Sequence, residues 1–323
     1  MNPNDSNNPM EKPVIIIDEL PEAATGQDEG EKPVITIERT NEPPASAPLP
    51  PNRRWPWVAG SVVITGMLCL LVWLGFRYFR TRFYIGVPVS TTTAQNIAKM
   101  QSAAMTDADV SPEVVKTTDS ILGVAMNIYE LRGLRAEIAM NEPDTTDASV
   151  YLYSRCSDYH PDFKVIGDLV IGGQEMPTAN ERRIGYLAAD RQNYTIGIAL
   201  DDKAKQYAMQ TGGCFFRQFV LVSDCTLPST FSLHGKVERR AIGRTTRDGK
   251  DVICYVETMH RETMWDFADA LREYGFIDAI YITGGRDFGF YRSADGQRHD
   301  FGDAIHYPHP NADRIPWLIF RPK

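Results

Sequence analysis

The chain has 323 residues and a formal net charge of −8, with 24% charged and 43% hydrophobic residues, a length that allows more than one domain. Its first 54 residues hold ten acidic and five basic residues and no Phe, Tyr, Trp or Cys, so that stretch cannot bury a core of its own. No basic block, zinc-type cysteine spacing or aromatic RNA-binding motif occurs anywhere, which argues against nucleic acid as a partner.

Residues 1–54 read as a disordered, acidic, Pro-rich tail. Within it EKPVIIIDE (Glu11–Glu19) returns as EKPVITIER (Glu31–Arg39) after twenty residues. Each copy is a β-prone run that begins after a proline. This suits a short motif that adds a strand to the sheet edge of a protein partner, and a duplicated neutral spacer is the other reading. NEPPASAPLPPN then forms an extended link to the next segment.

From Trp55 to Phe76 the chain carries no charge. At 1.5 Å per residue this run reaches about 33 Å, the thickness of a bilayer's hydrocarbon core. Arg53 and Arg54 precede it, Arg77, Arg80 and Arg82 come after it, and Trp55, Trp57, Trp73, Tyr78 and Phe79 stand where interfacial aromatics belong. Residues 55–77 are therefore expected to form a retained single-pass transmembrane helix, with the lipid bilayer as its partner. The flanking charges favour a cytoplasmic domain by a margin of one arginine. An internal signal-anchor would instead export the domain on its C-terminal side.

Residues 78–118 read as a helical linker, with Ser111-Pro112-Glu113 as a helix start. Beyond it, short apolar or alternating runs recur between turn residues: Ile121–Tyr129, Ser149–Tyr153, Val165–Ile171, Ile184–Ala189, Thr195–Leu200, Phe215–Val222, Ala241–Arg244, Val252–Val256, Ala279–Ile282, Phe288–Tyr291 and Trp317–Phe320. Two segments have helical patterning, Asp201–Gln210 before Gly212-Gly213 and Thr263–Tyr274 before Gly275. The expected fold class is α+β, with a strand-rich mixed-sheet domain over 119–323 and a few packed helices.

The chemistry-bearing stretch is the strand ending in Thr283-Gly284-Gly285-Arg286. Paired glycines let a ligand approach backbone amides, and an arginine beside them can take an anion bidentately. With GGCFFRQFVLV from Gly212 and RRAIGRTTRDGK from Arg239, the order of segments over Thr211–Tyr291 resembles the phosphodiester glycosidase family. That family removes a sugar capping a phosphodiester. The resemblance implies an envelope hydrolase with an exported domain, periplasmic or extracellular, and a sugar-phosphate or glycan ligand.

Where the family has Asp before its glycines, this chain has Thr283. A hydroxyl has no pKa near neutrality and cannot do a carboxylate's acid–base work. Asp278 or Asp287 would have to supply that group, or the domain is a non-catalytic glycan- or protein-binding module. His260, in the stretch Glu257–Glu262 after a strand, is a candidate general acid or base. Arg217, Arg240 and Arg286, with Gly284 and Gly285, are the candidate anion-binding residues, and Arg239 precedes Arg240 in the family-like block. His299, His306 and His309 lack the regular element that would set metal ligands, so no metal is expected, and the residues name no cofactor. Cys156, Cys214, Cys225 and Cys254 permit disulfides or buried thiols equally.

Overall fold

The computed structural model describes residues 55–89, 95–98, 100–101, 110–162, 164–179, 181–285, 287–303 and 315–323. The chain divides into two units, Met1–Val58 and Ala59–Lys323. The tail with its repeated motif, and residues 102–109 of the expected linker, lie outside the described residues. Helix α1 spans Trp55–Arg82. Every residue from 60 to 77 except Gly75 is exposed, among them Val62, Leu70, Val72 and Phe76. Over Gly60–Arg77 the helix is apolar and long enough to cross a bilayer.

In chain order the strands are β1 (Phe83–Tyr84), β2 (Val87–Pro88), β3 (Glu113–Ile121), β4 (Val124–Arg132), β5 (Leu134–Ala139), β6 (Leu152–Arg155), β7 (Leu169–Ile171), β8 (Gln174–Glu175), β9 (Gly185–Ala189) and β10 (Tyr194–Ile198). Helix α2 (Lys203–Thr211) comes next, then β11 (Cys214–Gln218), β12 (Val220–Val222), β13 (Arg239–Arg247) and β14 (Lys250–Thr258). Helix α3 (Met264–Tyr274), β15 (Asp278–Gly284), β16 (Gly289–Arg292), β17 (Arg298–Phe301) and β18 (Trp317–Pro322) complete the fold. They build a six-stranded sheet of order β12-β15-β13-β14-β4-β3, two five-stranded sheets, β10-β9-β11-β7-β8 and β17-β16-β6-β18-β5, and the two-stranded pair β1-β2. The domain is thus a strand-rich α+β fold, as its turn-punctuated sequence predicts.

Two tight turns fix the six-stranded sheet. Leu122-Gly123 (φ 51° and 82°) joins β3 to β4, and Asp248-Gly249 (φ 51° and 74°) joins β13 to β14. Positive φ at both central residues gives the turn whose twist matches paired strands. Strand alternation then sorts side chains to two cores. Tyr129, Ile242, Tyr255, Ile280 and Ile282 face one, shared with Leu152, Phe216, Leu318 and Phe320 of the other sheets. Ile128, Ala241, Val256, Ala279 and Tyr281 face the second, which α3 covers with Phe267, Ala268 and Leu271. Thr263 caps α3 by accepting from the amide of Asp266, and Gly275 ends it at φ 106°, where a side chain is disfavoured.

Two expectations need correction, and the open choice for the cysteines is resolved. Ser111-Pro112-Glu113 opens strand β3 rather than a helix, so the sheet begins ahead of residue 119; residues 95–98 and 100–101 are helical. The run Phe215–Val222 divides at Phe219 into β11 and β12, which enter different sheets. All five cysteines are free thiols, with Cys156, Cys214 and Cys254 buried and Cys225 exposed.

Candidate functional site

The register of the six-stranded sheet lines up four polar residues. Arg240 of β13 opposes Glu257 of β14, Glu257 opposes Asn127 of β4, and Asn127 opposes Thr118 of β3. Opposed residues share a face, so their side chains form one row at the end of the sheet. Thr118 donates to the Asn127 carbonyl oxygen at 2.9 Å. Glu257 Oε1 accepts from Asn127 Nδ2 at 3.2 Å and from the Tyr129 hydroxyl at 2.6 Å. Burial, then the Glu257 carboxylate, drives the Tyr129 phenol far above its ordinary pKa, so Tyr129 is a fixed donor.

Arg240 is 2% exposed. Its guanidinium carbon lies 5.3 Å from the ring centre of Phe301, its Nη2 donates to the Asp287 carbonyl, and its Nε is 3.9 Å from Glu257 Oε2. Its Nη1 is buried and has no hydrogen-bond partner among the described residues. A buried donor left unpaired costs about 1–3 kcal/mol. Arg240 is also one of the residues lining a cavity of about 250 Å³, with Asn127, Arg239, Glu257, Thr258 and Gly285 among the others. A depression of about 520 Å³ beside His160 and Lys164 is larger, but only half-buried or exposed loop residues line it.

Of the predicted residues, Arg240 and Gly285 line this cavity, and Asp287 meets Arg240 through its backbone carbonyl without being among the lining residues. Asp287 Oδ2 accepts from the Thr283 hydroxyl at 3.4 Å, so a carboxylate stands next to the position where the resemblance expects one. Arg286 lies outside the described residues, as do His306 and His309. Gly284 faces Arg239 across the β15–β13 ladder, and a Cβ there would strike the Tyr281 hydroxyl. The expected nest of free glycine amides is not present at Gly285, whose N–H donates to the Glu238 carbonyl at 2.8 Å.

Three candidates are elsewhere. Asp278 opens β15 and Gly284 closes it, which separates them by about 20 Å along an extended strand. Asp278 instead pairs with Arg244 and accepts from the Asp224 amide at 3.0 Å, pinning the positive-φ turn Asp224-Cys225. Arg217, buried in β11, pairs with Asp168 and Asp202, each at 3.2 Å, and ties the start of α2 to its sheet. His260 is exposed in the loop after β14 and does not line the cavity. His299 bonds Ser293 Oγ at 3.0 Å and stacks on Tyr291, and no three potential metal ligands cluster among the described residues.

Sequence reasoning missed Asn127, Tyr129 and Asp158, and placed Glu257 in a loop. Asp158 lies just after β6, where the Ser157 amide donates to the Ile282 carbonyl at 3.0 Å. Burial pushes the Asp158 carboxyl up to about 6; Arg183 and Arg239 oppose that rise and Asp287 adds to it. Arg239, on the opposite face of β13 from Arg240, donates to the carbonyls of Glu262 and Gly235 and to the Tyr281 hydroxyl.

No family model and no curated protein sequence matches this chain. Among solved structures, it is similar to the catalytic domain of zebrafish N-acetylglucosamine-1-phosphodiester alpha-N-acetylglucosaminidase auto-inhibited by its pro-peptide, at 11% identity and a TM-score of 0.44, over 66% of this chain and 84% of that one. It is also similar to a hypothetical protein from Synechocystis, at 10% identity and a TM-score of 0.40, over 65% and 62% of the two chains. Both are distant likenesses of chain course, and neither assigns a residue.

Proposed function

We propose that the domain binds and hydrolyses a glycosyl phosphodiester in the Arg240–Glu257 cavity, in a protein held by α1 in a membrane with the domain on the exported side. The observation that carries this reading is Arg240, a buried arginine in the lining of the cavity whose Nη1 has no hydrogen-bond partner among the described residues. A phosphate oxygen satisfies it with a charge-assisted bond. Hydrolysis needs, besides, a carboxylate to take the proton of the attacking water. Asp287, next to Thr283, is the residue assigned to it. The sugar leaves with the water's hydroxyl, and the phosphate leaves as a monoester.

Thr283 in place of the family's Asp favours a second reading, binding of the same ligand without turnover. One experiment separates the two. Full-length protein in detergent micelles is given a panel of glycosyl phosphodiesters, and free sugar and bound ligand are both measured. Release of sugar that is lost in Asp287→Asn while binding persists supports hydrolysis. Binding without release supports the second reading, and no binding that depends on Arg240 rejects both. The repeated EKPVI motif of the tail is proposed to add a strand to a protein partner on the opposite side of the membrane.

A further inference from the structure

We infer that the domain rests on the bilayer through its Thr226–Val237 loop and the exposed Trp265 beside it, which enter the head-group layer as a second anchor. The inference rests on the reading of α1 as a membrane span, on whichever side the domain lies.

The span joins the domain without slack. Strand β1 follows the last residue of α1 directly, and the β1–β2 turn, Ile85-Gly86 (φ 45° and 80°), is pinned to the loop. The Ile85 carbonyl accepts from the Ser229 amide at 2.7 Å and from its hydroxyl at 2.9 Å. The Pro88 carbonyl accepts from the Ser223 hydroxyl at 2.6 Å. A Cβ at Gly86 would lie 3.1 Å from that of Ser229, so the fit is close. Val87 is buried with Ile184, Ile198 and Val220 of the domain. From Arg77, where the apolar span ends, α1 rises about 7.5 Å to Arg82, and the chain to Ile85 adds at most about 11 Å. The head-group layer takes up about 5–8 Å of that path. Ile85, and Ser229 bonded to it, are thus held close above the lipid in every molecule.

At that place the surface is aromatic. Phe231, two residues beyond Ser229, sets its half-buried ring edge-on to Trp265, with 5.8 Å between ring centres. Trp265 is 46% exposed in the first turn of α3. Tryptophan has a large apolar ring and one N–H donor, which suits it to the depth where hydrocarbon gives way to head groups. Thr226–Val237 has no acidic residue although the chain carries a net charge of −8, and His234 and Lys236 in it are exposed. Nothing in the loop itself repels an anionic lipid surface. The connection from β12 to β13, residues 223–238, is also longer than is usual in a compact domain, and such loops are commonly functional. Lipid is the occupant, rather than a protein partner, because the tether itself carries this surface to the bilayer.

The test uses full-length protein in phosphatidylcholine nanodiscs, with the lipid brominated on its acyl chains near the head groups as a quencher. One fluorophore is attached in a Cys69→Ser/Cys225→Ser background. Ser232→Cys, at an exposed position beside Phe231, reports the loop. Ala294→Cys, at an exposed position in the β16–β17 turn, is the reference. Lys116 of β3 lies 5.8 Å from the ring centre of Tyr291 in β16, so that turn belongs to the β3 edge of the six-stranded sheet. The hairpin packs on Val220 of β12, the opposite edge, about 24 Å away. Native Cys69, labelled in detergent in Cys225→Ser protein, reports α1. Bromine is expected to remove about half of the emission at Ser232 and less than about a tenth at Ala294. Trp265→Ser should restore most of the emission at Ser232 and leave the quenching at Cys69 unchanged. Equal quenching at Ser232 and Ala294, or none at Ser232 while Cys69 is quenched, overturns the docking and leaves α1 in the bilayer. A Ser232 probe shielded from water yet untouched by bromine also overturns it and assigns the loop to a protein partner. Absence of quenching at Cys69 overturns the membrane reading, and the docking with it.

Discussion

Arg240 Nε and Glu257 Oε2 lie 3.9 Å apart across a registered antiparallel pair, and both residues are buried. Each is the opposite charge that faces the other among the described residues, at a distance too long for a hydrogen bond. Removing one partner strands the other, which for a buried pair costs about 3–5 kcal/mol. Arg240→Met is expected to lower stability on that scale in urea unfolding. The double variant Arg240→Met/Glu257→Gln should lose clearly less than the sum of the single variants. Additive losses would show that the two charges do not interact.

Asp278 and Asp287 are a second contrast, because one serves the fold and the other meets Arg240 of the cavity lining through its carbonyl. Asp278→Asn weakens the pair with Arg244 and the anchor of the turn at Asp224. A loss of about 2–3 kcal/mol in stability is expected, with phosphate binding unchanged. Asp287→Asn should lose sugar release while keeping phosphate binding, and leave the unfolding free energy within about 0.5 kcal/mol of wild type, since its carboxylate takes only a long bond from Thr283. Loss of sugar release in folded Asp278→Asn as well would return Asp278 to the site.

The sequence carried local signals well and cross-strand ones poorly. Thr263 and Gly275 bracket α3 because capping chemistry is written in adjacent residues. Gly285 and Arg240 were also legible, through a block of segments in a recognisable order. The row Arg240–Glu257–Asn127–Thr118 was not, because it depends on three strand registers that no single segment encodes. Asp278 misled for a related reason. It stands close to the glycines in sequence, yet an extended strand turns that closeness into distance. Strand β5 was overlooked although Leu134, Ala136 and Ile138 alternate inward, its charged outward residues making it read as loop.

Asp158 gives the domain a pH dependence in the acid range. Its carboxyl is raised in the fold to about 6, above the ordinary value of about 4. The folded state therefore holds a proton that the unfolded chain has lost, and stability falls as pH rises from about 4 to about 6. Part of the charge is screened because Asp158 is half-buried, so the loss is roughly 1–2 kcal/mol. Asp158→Asn should remove that component. Urea midpoints between pH 4 and pH 7 check it, and an unchanged slope in the variant assigns the dependence to other groups.

The cap of α3 gives a prediction independent of the cavity. Thr263→Ala removes the hydroxyl that accepts from the Asp266 amide at 3.0 Å, and about 1 kcal/mol should go with it. Thr263→Ser retains the acceptor and should recover most of that loss. Thermal unfolding of the two variants side by side reads the difference, and identical midpoints would mean that Asp266's amide finds another partner.

The side of the membrane on which the domain lies can be read from a native thiol. Cys225 is exposed in a two-residue turn, whereas Cys156, Cys214 and Cys254 are buried and Cys69 lies in the apolar span of α1. A membrane-impermeant maleimide therefore has one accessible target in the folded domain. If α1 acts as a signal-anchor and the domain is exported, intact cells should label the protein, and Cys225→Ser should abolish the labelling. Cys69, surrounded by lipid, stays protected from a charged reagent, and only its reaction in detergent would add a second site. Labelling confined to lysed cells would place the domain in the cytoplasm, as the one-arginine excess after the helix favours. It would also remove the envelope setting from the proposed hydrolysis while leaving the chemistry of Arg240 and Glu257 as it is.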